Sequence, residues 1–233
     1  GRGADHFDVE KFDADFAYTM DGDTEGEIQY ENFNAADAIF EIQGVNVHPG
    51  SAKDVMVNAA LVAMEINAAL PCGETPADTE DYEGFYHLVS MSGDVACAKL
   101  HYIVRDHDAD KFAARLETLK EISKQMNLKW GFGTVKLTID EQYRNMAEII
   151  EDGNMHLIEN AKKACAAADV TPLILPIRGG TDGARLSFMG LPCPNLGTGG
   201  HGYHGPFEHI TAEGMDKAVD VMIELVKLYA EMK

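Results

Sequence analysis

Between Ala35 and Ile139 the spacing of apolar residues switches between two and about 3.6 in a fixed order, and few folds accept that order. Alternating, β-branched residues run from Glu25 to Gln43, interrupted near Asn32-Phe33-Asn34, and Val45 to Gly50 closes a strand. Ser51-Ala52-Lys53-Asp54 leads into a helix through about Leu70, with Val55, Ala59, Val62, Ile66 and Ala69 on one face. Pro71 ends that helix, and the acidic stretch from Gly73 to Glu83 reads as an exposed loop. Phe85–Met91 and Val95–Val104 are strands joined by Ser92-Gly93-Asp94, a hairpin signal. Asp106-His107-Asp108 caps a helix over Ala109–Met126, striped by Phe112, Leu116, Leu119 and Ile122, and Val135–Ile139 alternates again. The order is β-α-β-β-α-β, a ferredoxin-like antiparallel sheet with both helices on one face.

The flanks differ in character. Asp15–Met20 reads as a short strand ending at Asp21-Gly22, a placement common at active sites and equally common in plain turns. Met155–Ala168 and Gly214–Met232 read as helices, the second with Val221, Leu225 and Leu228 inward. Leu173–Ile177 and Pro194-Asn195-Leu196 are apolar without alternation, as in a parallel sheet covered on both faces. Three such strands with few helices leave apolar faces wet. The fold class expected is therefore α/β: a mostly parallel sheet with helices, over 1–32 and 143–233, interrupted by the ferredoxin-like unit at 33–142. Gly1-Arg2-Gly3 resembles neither an initiator segment nor a common tag, and the expectation is a piece of a longer protein.

Charge excludes some partners. With 39 acidic against 19 basic residues the net charge is −20, which repels nucleic acid and anionic membrane alike. Cys72, Cys97, Cys165 and Cys193 form no C-x-x-C pair, and free, mostly buried thiols in a reducing cytoplasm are expected.

Two glycine-dense turns carry the polar chemistry. Ile177-Arg178-Gly179-Gly180-Thr181-Asp182 offers an arginine fork able to grip a carboxylate, or to pair internally with Asp182. Gly199-Gly200-His201-Gly202-Tyr203-His204-Gly205 offers two imidazoles, and with Asp21 either one suits a zinc site, which needs about four donors. His48, before Pro49-Gly50, and Arg105, in Val104-Arg105-Asp106, sit at strand ends, where structural duty is the commoner use.

Taken with Tyr18-Thr19-Met20-Asp21-Gly22 and Val47-His48-Pro49-Gly50-Ser51-Ala52, these motifs span the chain in an order that resembles the tripeptide aminopeptidases. Those belong to the large two-zinc peptidase family that also holds carboxypeptidase G and aminoacylase. The resemblance implies a cytoplasmic hydrolase acting on small peptides, with two zinc ions and a homodimer formed through the inserted lid domain. It assigns Asp21 and His204 to the metals, and Arg178 and, more weakly, Arg105 to the substrate. His48 would polarise the scissile carbonyl in the partner subunit. The family's His-x-Asp motif, its bridging Asp and the Glu-Glu pair with the general base would all precede Gly1. The expectation is that this chain alone does not hydrolyse peptides; a non-catalytic dimerisation or binding module derived from the family is the alternative.

Overall fold

The structure, a computed structural model, describes residues 3–231; Gly1 and Arg2, used above for the chain's start, and Met232, used for the end of the last helix, lie outside the described residues. Two compact units emerge, one of Asn34–Tyr143 and one of the residues up to Phe33 together with those from Arg144 onward.

The outer unit opens with α1 (Val9–Phe12), β1 (Thr19–Gly22) and β2 (Glu27–Gln29). The inner unit follows as β3 (Asn34–Gln43), α2 (Ala59–Ala69), β4 (Phe85–Gly93), β5 (Cys97–Asp106), α3 (Ala109–Trp130) and β6 (Val135–Tyr143). Its four strands lie in the order β4-β5-β3-β6, all antiparallel, with Phe40 facing Leu100 on one side and Leu137 on the other. This is the ferredoxin-like arrangement read from the apolar spacing. Ala38, Phe40 and Ile42 of β3 and Leu100, Tyr102 and Val104 of β5 turn to one face, where Val62 and Ile66 of α2 and Leu116, Leu119 and Ile122 of α3 cover them.

The helix expected from Ser51 starts later. Val45 and Val57 exchange both backbone hydrogen bonds, at 2.8 and 3.1 Å, so the intervening chain is spent on a loop in which Asp54 turns left-handed (φ 59°). Asn58 then caps α2, its Oδ1 accepting from the amides of Ala60 and Leu61. Val55 and Ala69, expected on the buried stripe, are exposed, because one precedes the helix and the other lies in its last turn. At α3 the opposite happens. Asp108 accepts from the Lys111 amide, and Trp130 Nε1 donates to Glu65 at 3.0 Å, holding the helix four residues beyond Met126.

The outer unit resumes with α4 (Ala147–Glu151), α5 (Met155–Ala167), β7 (Leu173–Ile174), α6 (Asp182–Phe188), β8 (Asn195–Gly197), β9 (Gly200–His201), β10 (His209–Ile210) and α7 (Ala212–Glu231). Its main sheet has the order β1-β8-β2-β7, with β1/β8 and β2/β7 parallel and β8/β2 antiparallel. The sequence pattern merged β2 into the run ending at Gln43. All three of its residues are buried, two of them the polar Glu27 and Gln29, so no alternation marks it. Ile28, Leu157, Ile158, Ala161, Leu196, Val221 and Leu225 form the core, whereas Leu173, Ile174 and Leu175 stay exposed. Asn32 holds the chain where this unit is left and re-entered. Its side chain donates to the carbonyls of Phe33 and Arg144, at 2.9 Å each, and accepts from the Met146 amide at 2.8 Å.

All four cysteines are free, but only Cys165 and Cys193 are buried; Cys72 and Cys97 are exposed, since their strand-end and loop positions face solvent. No helix among the described residues is long and apolar enough to cross a membrane.

Leu119 is fully buried at the centre of the inner core. Leu119→Ala is expected to cost about 2–5 kcal/mol, read as a lower midpoint in denaturant unfolding.

Candidate functional site

The site begins where two parallel strands end together. Gly22 of β1 faces Gly197 of β8, and a Cβ on Gly197 would stand 1.9 Å from the Thr24 carbonyl oxygen. Only glycine allows that approach. From this point leave the Asp21-Gly22-Asp23 turn and the glycine-rich loop at 198–205, and backbone bonds stitch them together. The Thr198 amide donates to Gly22 O at 3.2 Å and the Gly199 amide to Asp23 O at 2.8 Å. The Thr198 hydroxyl donates to Gly22 O at 2.9 Å and accepts from the Tyr203 hydroxyl at 2.6 Å.

Beneath the turn runs a buried polar chain. The Thr19 hydroxyl donates to Asn195 Oδ1. Asn195 Nδ2 donates to Gln29 Oε1 at 3.1 Å, and Gln29 Nε2 donates to Glu27 Oε2 at 2.8 Å. Glu27 ends the series by accepting from the amides of Asp23 and Thr24, at 3.1 and 3.2 Å. Each side chain in it is hydrogen-bonded to the next, as burial requires. Beside it, burial pushes the Cys193 thiol up to about 11, so this cysteine stays a neutral packing group at physiological pH.

Asp21 is exposed at the strand end, and His204 is exposed in the loop tied to it. His204 holds φ at 60°; every other non-glycine residue with positive φ among those described is an aspartate, and such a backbone costs about 1–3 kcal/mol for a larger side chain. Its amide donates to Glu208 Oε2 at 3.1 Å, which helps hold that turn. His201 is engaged differently. It pairs across the β9/β10 hairpin with His209, ring centroids 5.5 Å apart.

Arg178, also exposed, follows Ile177, which bridges Asn32 in parallel, and its guanidinium lies 5.2 Å over the buried Phe33 ring. That contact rests the guanidinium itself on a rigid aromatic surface. His48 and Arg105 belong to the inner unit. His48 caps a short 3-10 turn, its Nδ1 accepting from the Gly50 amide at 3.1 Å, so the neutral ring carries its proton on Nε2. Arg105 Nη1 donates to the carbonyls of Ala36 and Val104, and its guanidinium lies 5.4 Å over Tyr143. Its neighbour's hydroxyl is raised by burial, against the pull of this cation.

Among the described residues no group of three or more His, Cys, Asp or Glu side chains is placed to hold a metal ion. Asp21 and His204 are donors of the kinds zinc takes, yet two donors do not satisfy a site that needs about four. The set in this chain does not by itself fit a metal centre. Glu27, Thr198 and Tyr203, which shape the site, carry no signal of that role in the sequence, since the burial of Glu27 emerges only with the sheet.

Residues 30–131 match the family described as the peptidase dimerisation domain, M20_dimer. Over 231 residues the chain is 53% identical to peptidase T of Clostridium novyi, covering 99% of this chain and 56% of that protein. The chain thus spans little more than half the length of that relative. Its fold is similar to the crystal structures of aminopeptidase PepT from Bacillus cereus (TM-score 0.85, 24% identity, 98% of this chain and 61% of that one) and of a tripeptidase from Staphylococcus aureus (TM-score 0.84, 19% identity, 97% and 60%).

Gly197→Ala forces its methyl into the Thr24 carbonyl. The expected outcome is a loss of about 1–3 kcal/mol or more, measured as a lowered thermal midpoint of the folded chain.

Proposed function

We propose that this chain, a relative of peptidase T over nearly its whole length with the M20 dimerisation domain at its centre, is the carboxyl-terminal part of a cytoplasmic, zinc-dependent aminopeptidase that releases the amino-terminal residue from tripeptides. The observation that carries the reading is the join of the Asp21 turn to the His204 loop by direct backbone hydrogen bonds. Those bonds tie the residues directly after Asp21 to the start of the loop that carries His204.

In this reading Asp21 and His204 each give one donor to a metal pair, and the remaining donors and the general base come from the rest of the parent polypeptide. Bound zinc would polarise the scissile carbonyl and acidify a water. Arg178 holds a substrate carboxylate through its planar fork, and Arg105 assists weakly at best, since carbonyls of its own sheet already engage one of its nitrogens. His48 offers the Nε2–H of a neutral imidazole to the carbonyl oxygen in a partner subunit's site, its Nδ1 being already occupied. The inner unit forms the homodimer as lid, and this chain alone does not turn over peptides.

The parent polypeptide loaded with zinc is expected to free the first residue of a tripeptide, followed by amino-acid analysis. Activity confined to N-acyl amino acids or dipeptides would redirect the substrate class. Arg178→Ala should raise KM about tenfold to hundredfold, the worth of one charge-assisted hydrogen bond. Asp21→Ala and His204→Ala should each weaken zinc uptake in equilibrium dialysis, and unchanged uptake in both would remove them from the site.

A second reading treats the chain as a non-catalytic dimerisation module, favoured by the match of residues 30–131. Both readings expect a dimer in light scattering. A purified parent that dimerises yet hydrolyses no tripeptide under zinc would select the second.

A further inference from the structure

α7 carries two apolar faces where a surface helix needs one. Ala218, Val221 and Leu225 are buried in the outer unit's core. Met215, Val219, Met222, Ile223 and Val226 are exposed, Val226 by 68%. At 3.6 residues per turn these five fall within an arc of roughly 100° directly beside the buried one. Glu213, Asp216, Asp220, Glu224 and Lys227 take what remains of the circumference. The exposed stripe runs ~17 Å along the helix axis. In the same unit the sheet strand β7 leaves Leu173 and Ile174 exposed, although strands of parallel sheets are covered on both faces. A helix apolar over more than half its circumference is built to be enclosed.

We infer that the exposed stripe of α7 is the seat of the polypeptide that makes up the rest of the peptidase T relatives' length, packing on it through an apolar face of its own. The inference rests on the reading of the chain as part of such a peptidase. The chain spans 56% of its Clostridium novyi relative, so a large remainder exists there with no counterpart here. Charge disfavours the other occupants. The chain carries −20, and acidic residues border the stripe, so a second copy or an anionic bilayer meets like charge. The segment of the chain that matches a dimerisation domain, residues 30–131, is a different one.

Val226→Cys tests the assignment by alkylation of its thiol, read peptide by peptide in a mass spectrometer, in this chain alone and in the continuous parent. Alkylation is expected to be at least tenfold slower in the parent. Equal rates in the two would overturn the inference, and so would a thiol protected in the chain alone at high concentration and freed by dilution, which marks a second copy as occupant. The Val219→Glu, Val226→Glu double variant adds an independent measure. It should leave the thermal midpoint of the chain alone unchanged and sharply lower that of the parent; an unchanged parent counts against the inference. Tripeptide hydrolysis is assayed on the same parent sample. A protected thiol without hydrolysis leaves the docking face standing and removes the peptidase reading, whereas hydrolysis with a freely reacting thiol does the reverse.

Discussion

The buried chain of hydrogen bonds from Thr19 through Asn195 and Gln29 to Glu27 is the constraint on which the site depends. It crosses three adjacent strands of three to four residues, too short to be fixed by ladder bonds alone. Desolvated polar groups of this kind cost free energy unless every one is paired, so the strands are locked at the register that pairs them. That register sets Gly22 against Gly197, which in turn sets the Asp21 turn against the loop carrying His204.

The inner unit is organised by different physics. Its strands of nine and ten residues are long enough for cross-strand pairing, and a single apolar cluster receives both helices. Apolar burial dominates there, and the buried Tyr102 hydroxyl donates to Asn67 on α2. Burial pushes that phenol up to about 12, so it remains a donor over the whole working range of pH. The outer unit has its own apolar cluster, yet its α7 stripe and β7 strand stay exposed.

Legibility followed the length of each element. Leu116, Leu119 and Ile122 announced α3 because several helical turns repeat the same stripe. The start of α2 was misread because Val55 continues its apolar spacing, whereas Asp54 turns left-handed and Asn58 supplies the cap. Strand β2 was invisible, since two of its three buried residues are polar and hydrogen-bond sideways rather than alternate. At the candidate site, glycine density singled out two loops, and the chemistry of His201 and His204 left the choice between them open.

The sequence by itself determined the ferredoxin-like order of the inner unit, the wet apolar faces of the outer one and a net charge of −20. Each is a sum over many residues of one local preference, so it survives without knowledge of contacts. Tertiary structure alone decided that His201 turns to His209 while His204 takes the left-handed position, and that Arg178 rests on Phe33. It alone showed Glu27 gripping the turn beyond Asp21. Those outcomes hang on which strands become neighbours. Residues such as Thr19 and Asn195, far apart in the chain, meet only when the sheet is assembled.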